Sequence, residues 1–269
     1  MINLFTWISA LKEPDDINIK KFKVNHIPVL VLSSPDKHSE YGCLWIHGGG
    51  YIMGMKEMVY MSRAMDLVRN FGMTVFALDY HLAIQSPYPA ALNDCYDILL
   101  YMDAYKEKYG FSKIVVGGES AGGGLAVAVC MLARDTKKVD ISYQLPLYPM
   151  LDCFDTESSK DNHGKIWNTK RNHLAWKLYL RDKNAINAYS SPSRQTNYAD
   201  LPPAYTFVGS GEPFYYETLE YIENLRKAGI QAGCDVYPTD IHAFDMLYPE
   251  LEFSKQAIHT FNERIKALE

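Results

Sequence analysis

Long apolar runs are missing from this chain. No stretch of about 18 apolar residues occurs, so no membrane-spanning helix is expected. The opening Met1-Ile2-Asn3-Leu4-Phe5-Thr6-Trp7-Ile8 is apolar only briefly. It has no basic flank, and Lys12, Glu13, Asp15 and Asp16 follow soon after, so no secretory signal is expected either. Cysteine is scarce. Cys43, Cys95, Cys130, Cys153 and Cys234 make an odd number without a Cys-x-x-Cys pair. A disulfide framework is therefore not expected, and a reducing, cytoplasmic location fits. Basic clusters are also lacking in a chain of net charge −5. The densest run, Lys20-Lys21-Phe22-Lys23, alternates as a strand with one solvated face would, and no nucleic-acid partner is expected. No His, Cys, Asp and Glu grouping has the spacing of metal ligands, so neither a metal nor another cofactor is expected. Internal repeats and low-complexity segments are absent.

What remains is ordinary globular material: 269 residues, 48% hydrophobic and 22% charged. Residues 17–32 alternate as two strands broken near Asn25-His26. Tyr41–Ile46, Thr74–Leu78, Ile114–Val116, Tyr143–Leu147, Ala204–Val208 and Cys234–Tyr237 read as further strands. Helical spacing runs over Met61–Asn70, Pro89–Lys108, the residues up to Arg134, Tyr216–Ala228 and the C-terminal Phe253, Ala257, Phe261, Ile265 and Leu268. Strands and helices thus alternate from about residue 41 onward, which predicts an α/β fold with a mostly parallel sheet and helices on both faces. Residues 151–200 are polar, with one helix-like patch at Leu174–Leu180. They read as a small helical lid or cap insertion within a single domain spanning 1–269, being too few to bury a good core of their own.

The chemistry concentrates in Gly118-Glu119-Ser120-Ala121-Gly122, between a buried strand and a helix. Such a pentapeptide is a nucleophile elbow. Its serine sits on a tight, strained turn, and side chains two positions before or after it would collide with the neighbouring strand and helix. The helix that follows points its N-terminus at the serine, where developing negative charge is favoured. Dinucleotide and phosphate-loop patterns fit the same residues poorly. The second element is His47-Gly48-Gly49-Gly50, closing the strand Tyr41–Ile46. Its glycines allow backbone N–H groups to face a reacting carbonyl oxygen. The donors read from this pattern are the N–H groups of Gly48, Gly49 and Ala121, with His47 bracing the loop. Asp79, after a buried strand, reads as a carboxylate tying loops together, and Asp94 as structural.

These two elements, together with Asp79-Tyr80-His81-Leu82-Ala83, Tyr88-Pro89-Ala90-Ala91, Ser191-Pro192, Val236-Tyr237-Pro238 and His242-Ala243-Phe244, occur in order over residues 40–269. The set resembles the hormone-sensitive-lipase-like branch of the α/β-hydrolases, a family of esterases and lipases. That resemblance implies an α/β-hydrolase fold and a catalytic triad in the chain order serine, acid, histidine. Ser120 is then the nucleophile and His242 the base. The family's Gly-x-x-Asp-Pro pattern reads here as Gly209-Ser210-Gly211-Glu212-Pro213, so the acid position holds Glu212, 30 residues before His242. Glu217 and Asp240 stay open as alternatives. The family often has arginine where this chain has His81.

The expected function is a serine carboxylesterase acting on a small-molecule ester. The modest insertion suggests short acyl chains, with acetyl esters of sugars or small alcohols as examples. His47, Tyr51, Glu119, Trp176 and Phe244 are candidate substrate contacts, and Trp167, Trp176 and Tyr179 candidate pocket walls. Amidase, arylformamidase-like or peptidase activity on the same fold remains an alternative. So does a non-catalytic binding protein on a hydrolase scaffold, although retention of His242 speaks against it. Sheet edges offer a seam for a homodimer, which no residue pattern specifies.

Overall fold

Strands whose residues are apolar without alternation must be covered on both faces. The computed structural model describes residues 11–268, so the N-terminal octapeptide discussed above lies outside the described residues. Eight strands form one sheet in the order β1-β2-β4-β3-β5-β6-β7-β8. They are β1 Asn18–Val24, β2 Ile27–Ser33, β3 Tyr41–Ile46, β4 Thr74–Leu78, β5 Lys113–Glu119, β6 Tyr143–Leu147, β7 Ala204–Gly209 and β8 Ala232–Tyr237. β1 and β2 form an antiparallel hairpin, and β2 runs antiparallel to β4. All the other pairs are parallel. Lys20, Lys21 and Lys23 are exposed on β1, as charges are on an edge strand that must not pair further.

The longer helices are α1 Ala64–Phe71, α2 Ala90–Ala104, α3 Ala121–Thr136, α4 Thr169–Leu180, α5 Tyr215–Lys227 and α6 Glu252–Lys266. The two-residue period of β3 divides its side chains between two cores. Leu44 and Ile46 meet Leu92 and Leu99 of α2 and Leu125 of α3. Cys43 and Trp45 meet Leu67 and Val68 of α1 and Phe261 of α6. A third cluster joins Val127 and Met131 of α3 to Tyr221, Ile222 and Leu225 of α5. All five cysteines are free thiols, and burial pushes those of Cys43 and Cys130 far up.

Of the boundaries that differ from the sequence reading, two have a clear physical cause. The helix expected over Pro89–Lys108 stops at Ala104, where Tyr105 takes φ −119°, and Lys106–Tyr109 forms a separate turn. Conversely, α4 begins well before Leu174. The Asn168 side chain caps it by accepting from the Arg171 N–H, a polar start signal that apolar periodicity does not report.

The sheet and α3 meet at the turn around Ser120. A Cβ on Gly122 would lie 2.0 Å from the Ile46 carbonyl oxygen and 2.5 Å from that of His47. A Cβ on Gly118 would lie 2.5 Å from the same Ile46 oxygen. Both glycines therefore let the turn press against β3. Gly122→Ala is expected to cost about 1–3 kcal/mol, like other forced overpacking, which lowers the melting temperature by several degrees. Gly233→Ala in β8 meets only a Tyr205 ring carbon at 3.5 Å and serves as the control. Thermal melts of both check the reading, and equal melting temperatures would contradict it.

Candidate active site

Ser120 has φ 58° and ψ −120°, a conformation that a side chain rarely adopts. Backbone hydrogen bonds hold it there. Its N–H donates to the Leu147 carbonyl, and its own carbonyl accepts from Gly124 and Met150, each at 3.0 Å. The turn lifts the hydroxyl clear of the sheet at the N-terminus of α3. Ser120 Oγ lies 2.8 Å from His242 Nε2. His242 sits in the loop after β8, and its Nδ1 lies 2.5 Å from Glu212 Oε2. Glu212 follows β7, and its other oxygen accepts the Gly209 N–H at 2.5 Å. Burial raises the Glu212 carboxyl above its ordinary value, while the His242 hydrogen bond and charge pull it down.

Neither alternative acid reaches His242. Glu217 is buried elsewhere, accepting from the N–H groups of Leu151 and Asp152. Asp240 is exposed, and among the described residues the imidazole's hydrogen-bond partners are Glu212 and Ser120. Two aromatic rings that sequence reasoning missed grip His242 edge to face. Tyr148 stands 5.1 Å away and Phe214 5.0 Å, both at 80° to the imidazole. The Tyr148 hydroxyl donates to Asp245 Oδ1 at 2.7 Å, and Arg63 pairs with the other oxygen at 3.1 Å.

A serine at an elbow, hydrogen-bonded to a histidine that is backed by a carboxylate, sits here on a sheet of this order. Residues 43–246 match the family model described as alpha/beta hydrolase fold. The chain belongs to the α/β-hydrolases, in their hormone-sensitive-lipase-like esterase branch. It is 29% identical to the esterase LipI of Mycobacterium tuberculosis over 216 residues, 78% of this chain and 67% of that one. It is 28% identical to an arylesterase of Saccharolobus solfataricus over 240 residues, 86% and 77% of the two chains. A bacterial heroin esterase superposes with a TM-score of 0.87 at 26% identity, covering 95% of this chain and 86% of its own. The chain spans between 57% and 67% of the length of three of the curated relatives it matches.

In this α/β-hydrolase the glycine loop after β3 bends tightly, with Gly49 at φ 114° and Gly50 at φ 61°. The N–H groups of Gly49 and Ala121 have no hydrogen-bond acceptor in the protein among the described residues. His47 lies behind the loop. Its Nδ1 contacts the Gly48 carbonyl at 2.7 Å, and its ring stacks on Tyr80 at 4.2 Å. Burial pushes its pKa down to about 4, so it stays neutral and braces the loop. Asp79 ties the next loop down, accepting from the Lys56 N–H at 2.7 Å and from Lys56 Nζ at 2.8 Å.

A cleft of about 730 Å³ opens beside Ser120 and His242. Its wall carries Met53, Met55, Met58 and Met61 from the tied loop and Met246 from the turn after His242. Ile166, Trp167 and Leu174 line it from residues 151–200. Five of the eleven methionines thus face one space, a concentration visible in the sequence after the glycine loop. Three expected substrate contacts need correction. Tyr51 has φ 64°, which turns its ring into the core, where it stacks on Tyr179 at 4.0 Å and donates to the Met150 carbonyl. Trp176 packs against Tyr51 and Tyr179 in the same place. Phe244 is wholly buried among Phe207, Tyr237 and Phe253. Of the three expected wall residues, Trp167 alone lines the cleft.

Glu119 does line the cleft, although almost no solvent reaches it. One oxygen accepts from Trp45 Nε1 at 2.6 Å, and the other has no partner. Burial is the chief reason that its pKa is pushed up from the ordinary 4.5 to about 8, against the pull of Trp45. The unfolded chain therefore loses this proton near pH 4.5, while the folded chain keeps it until about pH 8. Between those values the unfolded state binds fewer protons, so this group's contribution to stability falls as pH rises. Glu119→Gln keeps an acceptor for Trp45 and has no proton to lose. Its stability relative to the parent is expected to improve steadily from about pH 5 to about pH 8 in urea melts. A difference independent of pH would contradict the account.

Proposed function

We propose that the protein is a carboxylic ester hydrolase working through an acyl-enzyme on Ser120. The observation that carries this reading is the hydrogen-bonded line from Ser120 Oγ through His242 to Glu212, at 2.8 and 2.5 Å. Ser120 attacks the ester carbonyl while His242 Nε2 takes its proton. The Nδ1–H of His242 donates to Glu212, which holds the useful tautomer and stabilises the imidazolium. The oxyanion is received by the N–H groups of Gly49 and Ala121, close to the positive end of α3, with the Gly48 N–H, which also faces the Glu119 carboxylate, as the third expected donor. The alcohol leaves with the proton from His242. Water then attacks the acyl-enzyme with His242 again as base. The esterase names of the relatives support this reaction class.

The cleft narrows the substrate. Thioether and hydrocarbon side chains make up most of its wall, and flexible methionines adapt to ligand shape. Short to medium apolar acyl or alcohol groups fit it better than an acetylated sugar, whose hydroxyls would find few partners. Residues 151–200 act as the lid of a single-domain enzyme, closing one side of the cleft with Ile166, Trp167 and Leu174.

Two measurements test this reading. Ser120→Ala is expected to lower turnover of p-nitrophenyl butyrate by about 10⁴-fold or more, and Glu212→Gln by about 10⁴-fold, with both variants folded. A rate within tenfold of the parent in either variant would reject the role of that residue. Across p-nitrophenyl esters, kcat/KM is expected to rise by about tenfold from acetate to butyrate, since each buried methylene contributes about 0.8 kcal/mol. It should fall again for chains that overrun the cleft. A maximum at acetate would contradict the proposed use of the methionine wall.

A further inference from the structure

A second cluster of chemistry-bearing side chains stands outside the cleft. His26 lies on the turn between β1 and β2, His81 in the loop after β4, and Asp94 on α2. Asp94 is only 4% exposed, yet its ion-pair partners are two histidines and no lysine or arginine among the described residues. One of its carboxylate oxygens accepts the His81 backbone N–H at 2.7 Å and faces His81 Nδ1 at 2.7 Å. The other faces His26 Nε2 at 3.4 Å. The two imidazole rings are 5.1 Å apart. One ligand atom from each of the three residues lies within 4.8 Å of the others.

A buried carboxylate requires a compensating cation. No lysine or arginine among the described residues pairs with Asp94, and the two imidazole nitrogens beside it are good ligands for an ion that would supply the positive charge. We propose that His26, His81 and Asp94 form a binding site for a divalent transition-metal ion of the zinc type. Such an ion holds its nitrogen and oxygen donors about 2.0–2.2 Å away, which sets them about 3.3 Å apart in a tetrahedral shell. His81 Nδ1 and the carboxylate oxygen it faces, 2.7 Å apart, would open slightly to admit the ion, and the wider separations, within 4.8 Å, would close. The His26 side chain, 62% exposed, is free to make that closure. The remaining coordination position faces solvent on the His26 side and takes water. The bound ion would pin the β1–β2 turn to the loop after β4 and to α2. Sequence spacing gave no hint of the site, because its three ligands come from three separate segments.

The test uses the tag-free, chelator-treated full chain titrated with zinc chloride by calorimetry, alongside thermal melts with and without the metal. The parent is expected to bind one equivalent, and zinc is expected to raise its melting temperature by several degrees. His26→Ala, at an exposed turn, should fold normally, bind zinc at least tenfold more weakly and lose most of the thermal shift. His81→Asn, which retains a side-chain donor towards Asp94, should behave alike. The exposed pairs His163–Asp161 and His173–Asp155 offer two ligands each and persist in both variants. No saturable binding by the parent would overturn the proposal, as would equal affinity in the parent and His26→Ala.

Discussion

The cleft depends on a backbone turn that an ordinary residue resists. Ser120 occupies a positive-φ conformation that costs of order 1–3 kcal/mol, and it persists because its surroundings leave no alternative. Its N–H and carbonyl are tied to the ends of β6 and α3. Gly118 and Gly122 let the turn lie directly on the backbone of β3. The strain is offset by the packed cores on both sides of the sheet. In return the hydroxyl stands at a helix N-terminus, within hydrogen-bond reach of an imidazole delivered by the loop after β8.

That imidazole is held by shape as much as by hydrogen bonds. Tyr148 and Phe214 leave its ring one plane to occupy. Tyr148 is itself anchored by Asp245, which pairs with Arg63 at the start of α1. Orientation of the imidazole is thus shared among residues from widely separated segments. In contrast, the methionine wall opposite is adaptable, since unbranched thioether side chains change rotamer at little cost. Under the function proposed, a rigid centre beside a pliable wall suits an enzyme that fixes the ester bond and tolerates variation in what flanks it.

Much of this was legible from residue order. Runs such as Thr74–Leu78 and Ile114–Val116 lack alternation because they are buried on both faces, and together with the alternation of strands and helices they predicted the parallel sheet. The glycines at 118 and 122 announced the turn, since only a close backbone approach demands both. The acid and the base were placed by family resemblance, and the folded chain brings Glu212 to His242 where Glu217 and Asp240 stay away. The direction a side chain faces was less legible. Tyr51 and Phe244 each adjoin a motif residue, but the left-handed backbone at Tyr51 and at Ala243 sends both rings into the core. Tyr148 and Phe214 were invisible for a related reason: their contact with His242 is long-range packing and carries no local pattern. The histidine pair facing Asp94 escaped notice because spacing rules recognise ligands that share a segment.

The central claim is that the Ser120 hydroxyl is a nucleophile activated by His242 and aimed into the cleft. Active-site titration with a fluorophosphonate, followed by peptide mapping, tests it most directly. The account predicts one equivalent incorporated at Ser120, with ester hydrolysis lost in proportion to labelling. Incorporation at another residue, or full activity after Ser120 is labelled, would contradict it.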